Sequence, residues 1–114
     1  MINFPIDKSK GPKLIGQRLL SARKHNNLKG TEVALLLRIE KSALSHIETG
    51  KNYPNVHNLI KLCILYKVSP LYILGFIDNY THLSDVEIEK IKVQLIQSSK
   101  KPGAKMGTDT VNNN

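Results

Sequence analysis

Between Thr31 and Gly50 the apolar residues form two helical patterns too short to stand alone. Val33, Ala34 and Leu37 make the first, Leu44 and Ile47 the second, and only Arg38, Ile39 and Glu40 separate them. A helix of about two turns hardly repays the cost of its own nucleation in water, so neighbours must hold both segments. The rest of the chain offers more helical patterns and no sustained alternation, so the fold class expected is all-α. With 114 residues and 40% hydrophobic content the chain can bury one modest core. Aromatics at 5% and the absence of Trp count against an aromatic-rich sandwich or a stacking platform for single strands.

Along the chain, residues 1–12 lack periodicity and end in Gly11 and Pro12, which reads as a flexible N-terminal arm. Leu14, Ile15, Leu19, Leu20 and Ala22 set a first helix over about 13–26, closed by Asn26 and Asn27. After the two short segments, Gly50 ends the third helix where a left-handed residue costs least. Asn55 is a natural N-cap for a fourth helix, in which Leu59, Leu62, Cys63 and Tyr66 share one face, making Cys63 a core residue. Ser69 and Pro70 open a fifth helix to about Phe76, which ends the core domain of residues 13–77. Residues 78–99 are expected to be a polar connector and a C-terminal helix, begun by a capping box of Ser84 and Glu87 with Leu83 and Ile88 as hydrophobic staple. Residues 100–114 read as a disordered tail.

Charge separates these parts. Residues 1–77 carry 12 Lys/Arg against 4 Asp/Glu, and residues 78–114 carry 5 of each, so the whole net charge of +8 lies on the first part. A compact domain so charged attracts polyanions. One cysteine cannot close an internal disulfide, and four scattered histidines give no zinc-ligand spacing, so no metal and no cofactor are expected. No serine stands in a GxSxG motif, no carboxylate pair marks a cleft, and Gly50-Lys51 lacks the upstream glycine of a phosphate loop; no catalytic residue is assigned, and the chain is not read as an enzyme. Without an apolar leader or a span of about 20 apolar residues, a cytoplasmic, nucleoid-associated protein is expected.

The third helix carries the functional signal. Leu44, Ile47 and Glu48 line one side, while Lys41, Ser42, Ser45, His46 and Thr49 form a polar stripe on the other, short or basic side chains of the kind that base edges require. Any amphipathic helix has a polar face, so spacing alone leaves base reading open.

The run Leu28 to Pro54, LKGTEVALLLRIEKSALSHIETGKNYP, resembles without a gap the helix-turn-helix of the lambda-repressor/Cro-like, or Xre-type, regulators. Ile15, Gly16, Leu19, Leu20 and Arg23 are similar to that family's first helix, and Leu59 to Gly75 to its fourth and fifth. Ala34, the run Ser45, Ile47, Glu48, Gly50, and Pro54 are the most specific signs. The resemblance implies a five-helix lambda-repressor-like DNA-binding domain, here with one C-terminal amphipathic helix added. It also implies a regulator of transcription, a repressor in the first reading, bound as a homodimer to a palindromic operator in double-stranded DNA. Carried over, Lys41, Ser42, Ser45 and His46 face base edges; Lys29, Thr31, Thr49, Lys51 and Asn52 contact phosphate; Arg23 and Glu48 form a structural ion pair.

Several positions depart from that pattern. Gly30 stands where a Gln is common, Arg38 where the turn commonly has Gly, and Glu40 at an N-cap that is commonly Ser or Thr; Leu35 and Leu36 are apolar where relatives are polar. Exposed leucines there would mark a protein contact. In the last helix Ile88, Ile91 and Leu95 form an apolar stripe, which Leu83, Val86 and Ile96 are read as extending, and which either caps its own domain or builds the dimer. The rival reading is a protein-interaction module, such as an antitoxin that clasps a toxin or other regulatory protein with this helix.

Overall fold

The computed structural model describes residues 10–99, so the expected tail and most of the expected arm lie outside the described residues. Residues 10–83 form one compact unit and α6 (Asp85–Ser99) belongs to a second. The first unit contains α1 (Lys10–His25), α2 (Gly30–Leu37), α3 (Lys41–Glu48), α4 (Val56–Tyr66) and α5 (Pro70–Ile73). Among the described residues no strand forms beyond one bridge, and no helix is long and apolar enough to cross a membrane. Each helix of the first unit contributes to one core: Ile15, Leu19 and Ala22 from α1, Val33, Ala34 and Leu37 from α2, Leu44 and Ile47 from α3, Leu62, Cys63 and Tyr66 from α4, and Ile73 from α5. Burial pushes the Cys63 thiol up to about 12, so it stays protonated and packs as a small apolar group.

Local signals set most helix ends. Asn55 Oδ1 accepts from Asn58 N at 2.7 Å, and Ser69 Oγ from Leu71 N at 3.2 Å ahead of Pro70. The capping box of α6 is complete: Ser84 N donates to Glu87 Oε1 at 2.9 Å and Glu87 N to Ser84 Oγ at 3.1 Å. These bonds hold the Glu87 carboxyl below its ordinary value.

Four features differ from the sequence reading. The first helix starts at Lys10, because Pro12 in a first turn gives up only a donor that has no partner there. The fifth ends at Ile73, because Gly75 turns left-handed at φ +90°. Residues 78–83 do not leave the first unit: Ser69 N donates to the carbonyl of Thr81 and Leu83 N to that of Lys67, and Leu83 is buried. Tyr80 packs among His25, Tyr72 and His82 with ring centroids 4.9–5.4 Å away, clasping this segment to α1 and α5. In α6, Ile88 is 6% exposed and Ile91 half-buried, whereas Val86 (65%) and Ile96 (60%) are exposed, so they do not extend the Ile88 stripe. At about 100° per residue they belong with Val93 on a second apolar face.

Arg38 adopts φ 58°, ψ 46° in the turn between α2 and α3. A side chain in that conformation costs about 1 kcal/mol, part of which glycine's greater freedom in the unfolded chain cancels. Arg38→Gly is therefore expected to stabilise the first unit by about 0.5 kcal/mol, raising Tm by about 2–4 °C. A thermal melt checks this, and a lowered Tm contradicts it.

Candidate nucleic-acid interface

Three contacts position α3. At the crossing with α1, Gly16 brings the two backbones together: a Cβ there would collide with the Ile47 carbonyl oxygen and lie 2.8 Å from that of Glu48. Across the same contact Arg23 Nε donates to Glu48 Oε2 at 2.6 Å and Nη2 to Oε1 at 3.2 Å, while Nη1 donates to the Leu28 carbonyl at 2.9 Å. Glu48 is only 9% exposed, and its bond raises the Arg23 guanidinium above its ordinary value. The ion pair implied by the resemblance thus forms in two-pronged geometry, which neutralises a carboxylate on the helix expected to meet phosphates. Third, Leu44 and Ile47 face the core that α2 shares.

With that side pinned, Lys41, Ser42 and Thr49 are exposed and Ser45 and His46 half-exposed on the other. Glu40 caps α3 with its backbone only, since its side chain makes no cap hydrogen bond. Thr49 differs from expectation in one respect: its hydroxyl donates to the Ser45 carbonyl at 2.8 Å, so the proton that a phosphate oxygen would take is already engaged. Lys51 N and Asn52 N both donate to the His46 carbonyl, closing the loop tightly and leaving their exposed side chains outward.

That loop rests on the start of α1. Gly50, at φ +81°, lies against Lys13, where a Cβ would come within 2.7 Å of the Lys13 Cα, and the Tyr53 hydroxyl meets Gly11. Exposed Lys13, the first residue of the helix expected from the sequence and given no role there, is thereby a neighbour of the loop that carries Lys51. Only the surplus of basic residues in this part of the chain hinted at it. At the other end, Lys29 precedes α2, where its backbone N donates to Glu32 Oε1 at 2.8 Å, and Thr31 is exposed one residue after Gly30. Basic and hydroxyl side chains therefore occur at α2's start, on α3's outer face and in the loop that follows it.

Leu35 and Leu36 are 79% and 60% exposed, and Leu36 borders a shallow groove with Leu37, Lys61, Ile64 and Leu65. Arg18 ties α1 to α5: it donates to the carbonyls of Tyr72 and Ile77 and stacks 4.2 Å over the Tyr72 ring. Among the described residues no group of three or more His, Cys, Asp or Glu is placed to hold a metal ion.

Comparison with known proteins agrees with this geometry. Neither the curated proteins nor the solved structures yielded a match. The model of the helix-turn-helix domain family matches residues 16–75, more than half of the chain and the span from the α1–α3 crossing through α5. The chain belongs to the helix-turn-helix domain family, a family of DNA-binding regulators.

Proposed function

We propose that this protein is a lambda-repressor/Cro-like regulator of transcription that reads the major groove with α3. In this reading it acts as a repressor, bound as a dimer to a palindromic operator. The observation that carries the reading is the two-sidedness of α3: one face is locked by Glu48, Leu44 and Ile47, and the other presents Ser42, Ser45 and His46 without an acidic side chain among them. Hydroxyl and imidazole groups held on a fixed helix are suited to the hydrogen-bonding edges of bases. Lys29, Thr31, Lys51 and Asn52 flank the stripe as backbone contacts, joined by Lys13; Thr49 would have to release its bond to Ser45 before donating to phosphate.

Selection of bound duplexes from a random pool tests the reading. A dimer reading sequence enriches a palindrome whose half-sites lie about one helical turn apart. Binding without an enriched sequence contradicts it.

We assign dimerisation to the stripe of Ile88, Ile91 and Leu95, with Leu95 (43% exposed) and half-buried Ile91 supplying the contact, since Ile88 is already buried within one chain. Leu95→Glu is expected to halve the native mass in light scattering and to weaken operator binding at least tenfold, because two linked half-sites bind far better than one. An unchanged mass and affinity give α6 to a different partner. The exposed leucines of α2 and the second apolar face of α6 favour, as a second reading, an interaction module such as an antitoxin.

A further inference from the structure

Gly30 is buried although it is the first residue of a helix, and the side chain lying over it comes from α3. A Cβ on Gly30 would stand 2.7 Å from Lys41 Cε, 3.2 Å from Nζ and 3.6 Å from Cδ. Backbone conformation does not call for glycine here: the left-handed glycines are Gly50 and Gly75, and Gly30 is an ordinary helical residue. Glycine is the poorest helix former after proline. What its missing side chain supplies is a seat for the lysine stem.

The seat redirects the lysine. Instead of extending along the outward stripe with Ser42, Ser45 and His46, Lys41 folds back across α2, so its ammonium comes to the backbone between Lys29 and Thr31. Among the described residues no ion pair engages it: of the carboxylates nearest in sequence, the adjacent Glu40 pairs with no cation and makes no cap hydrogen bond, and Glu32 accepts from the Lys29 backbone. An ammonium is a compact charge with three freely directed donors, suited to a phosphate oxygen without the fixed geometry that a base edge demands.

We infer that Gly30 is a positioning residue for DNA recognition: by lacking a side chain it seats Lys41 across the start of α2 and commits that ammonium to the DNA backbone, leaving base reading to Ser42, Ser45 and His46. The inference rests on the DNA-binding function proposed above and removes Lys41 from the base-reading set that the resemblance implies.

The experiment measures affinity of the full-length protein for its selected duplex and for a scrambled duplex between 50 and 200 mM salt. Each phosphate contact contributes about 0.9 to the slope of log affinity against log salt, so losing one makes the fall over this fourfold range about 3.5 times smaller. Lys41→Ala is expected to show that loss equally on both duplexes, with the selected consensus unchanged. Gly30→Leu, which fills the seat with an apolar side chain, is expected to show the same loss, and the double variant no further one. Gly30→Ala, whose methyl meets only the flexible end of the lysine, changes the slope in the same direction by less and provides a second variant should Gly30→Leu fold poorly. In the free protein, NMR is expected to show a nuclear Overhauser contact between the Gly30 α-protons and the Lys41 ε-protons. The inference is overturned if that contact is absent, if Lys41→Ala alters a preferred base while the slope stays the same, or if the seat variants leave the slope at its wild-type value. Equal wild-type affinity for both duplexes sinks the sequence-reading proposal alone, since the slope still reports on Lys41. Failure to bind any duplex overturns both.

Discussion

Glu48→Ala is expected to destabilise the first unit by about 3 kcal/mol, the lower end of the range for breaking a buried ion pair. The Glu48 side chain is 7% exposed and holds two nitrogens of Arg23, whose side chain is itself 15% exposed. Removing it leaves the guanidinium with the Leu28 carbonyl at 2.9 Å and little water to replace the lost partner. That remaining bond is the reason for choosing the lower end. The variant also frees the C-terminal turn of α3 from α1, so duplex affinity should fall even where the protein stays folded. Urea denaturation followed by circular dichroism reads the stability change, and a loss below about 1 kcal/mol would show that the pair is not what holds the two helices together.

Gly16→Ala should have an effect of similar size by a different route. An added methyl would meet the backbone carbonyls of Ile47 and Glu48, not the end of a side chain that can swing away. Overpacking in a core costs about 1–3 kcal/mol, and the upper end applies here because backbone must move. In an exposed helix the same substitution stabilises by up to about 1 kcal/mol, so the sign of the measured change decides. A raised or unchanged Tm would mean that α1 and α3 do not cross at Gly16 as closely as described. Both variants act at one contact, so their effects should fall short of adding.

These two residues also show which parts of the molecule the sequence reveals. Asn55, Ser69 and the Ser84–Glu87 pair announce helix starts correctly because a cap acts on backbone within three residues of itself. The left-handed turn at Arg38 and the ion pair of Arg23 with Glu48 were legible only through the resemblance, which supplied the spatial meaning of positions far apart in the chain. Contacts without a local signature stayed hidden. The lysine over Gly30, the loop seated on Lys13, and Arg18 bound to the carbonyls of Tyr72 and Ile77 join elements whose meeting is decided by the packed core. Residues 78–82 look like a linker because they are largely polar, yet the backbone bonds that join Thr81 to Ser69 and the following Leu83 to Lys67 hold them, and such bonds leave no trace in side-chain pattern. In α6 the apolar residues are numerous enough that their spacing fits one broad stripe, whereas their exposures assign them to two faces.

The account stands on α3 as the element that reads sequence, and comparing the duplexes selected by wild type and by a Ser42→Ala/His46→Gln variant tests it most directly. Both side chains lie on the outward face, at exposed or half-exposed positions that take no part in the core, so the variant should fold with unchanged Tm. The account predicts a palindromic consensus for each protein, differing at one or two positions in each half-site and nowhere else. The expected discrimination is about 1–3 kcal/mol per altered bidentate contact. An identical consensus from the two proteins would contradict the claim that this face of α3 chooses the DNA.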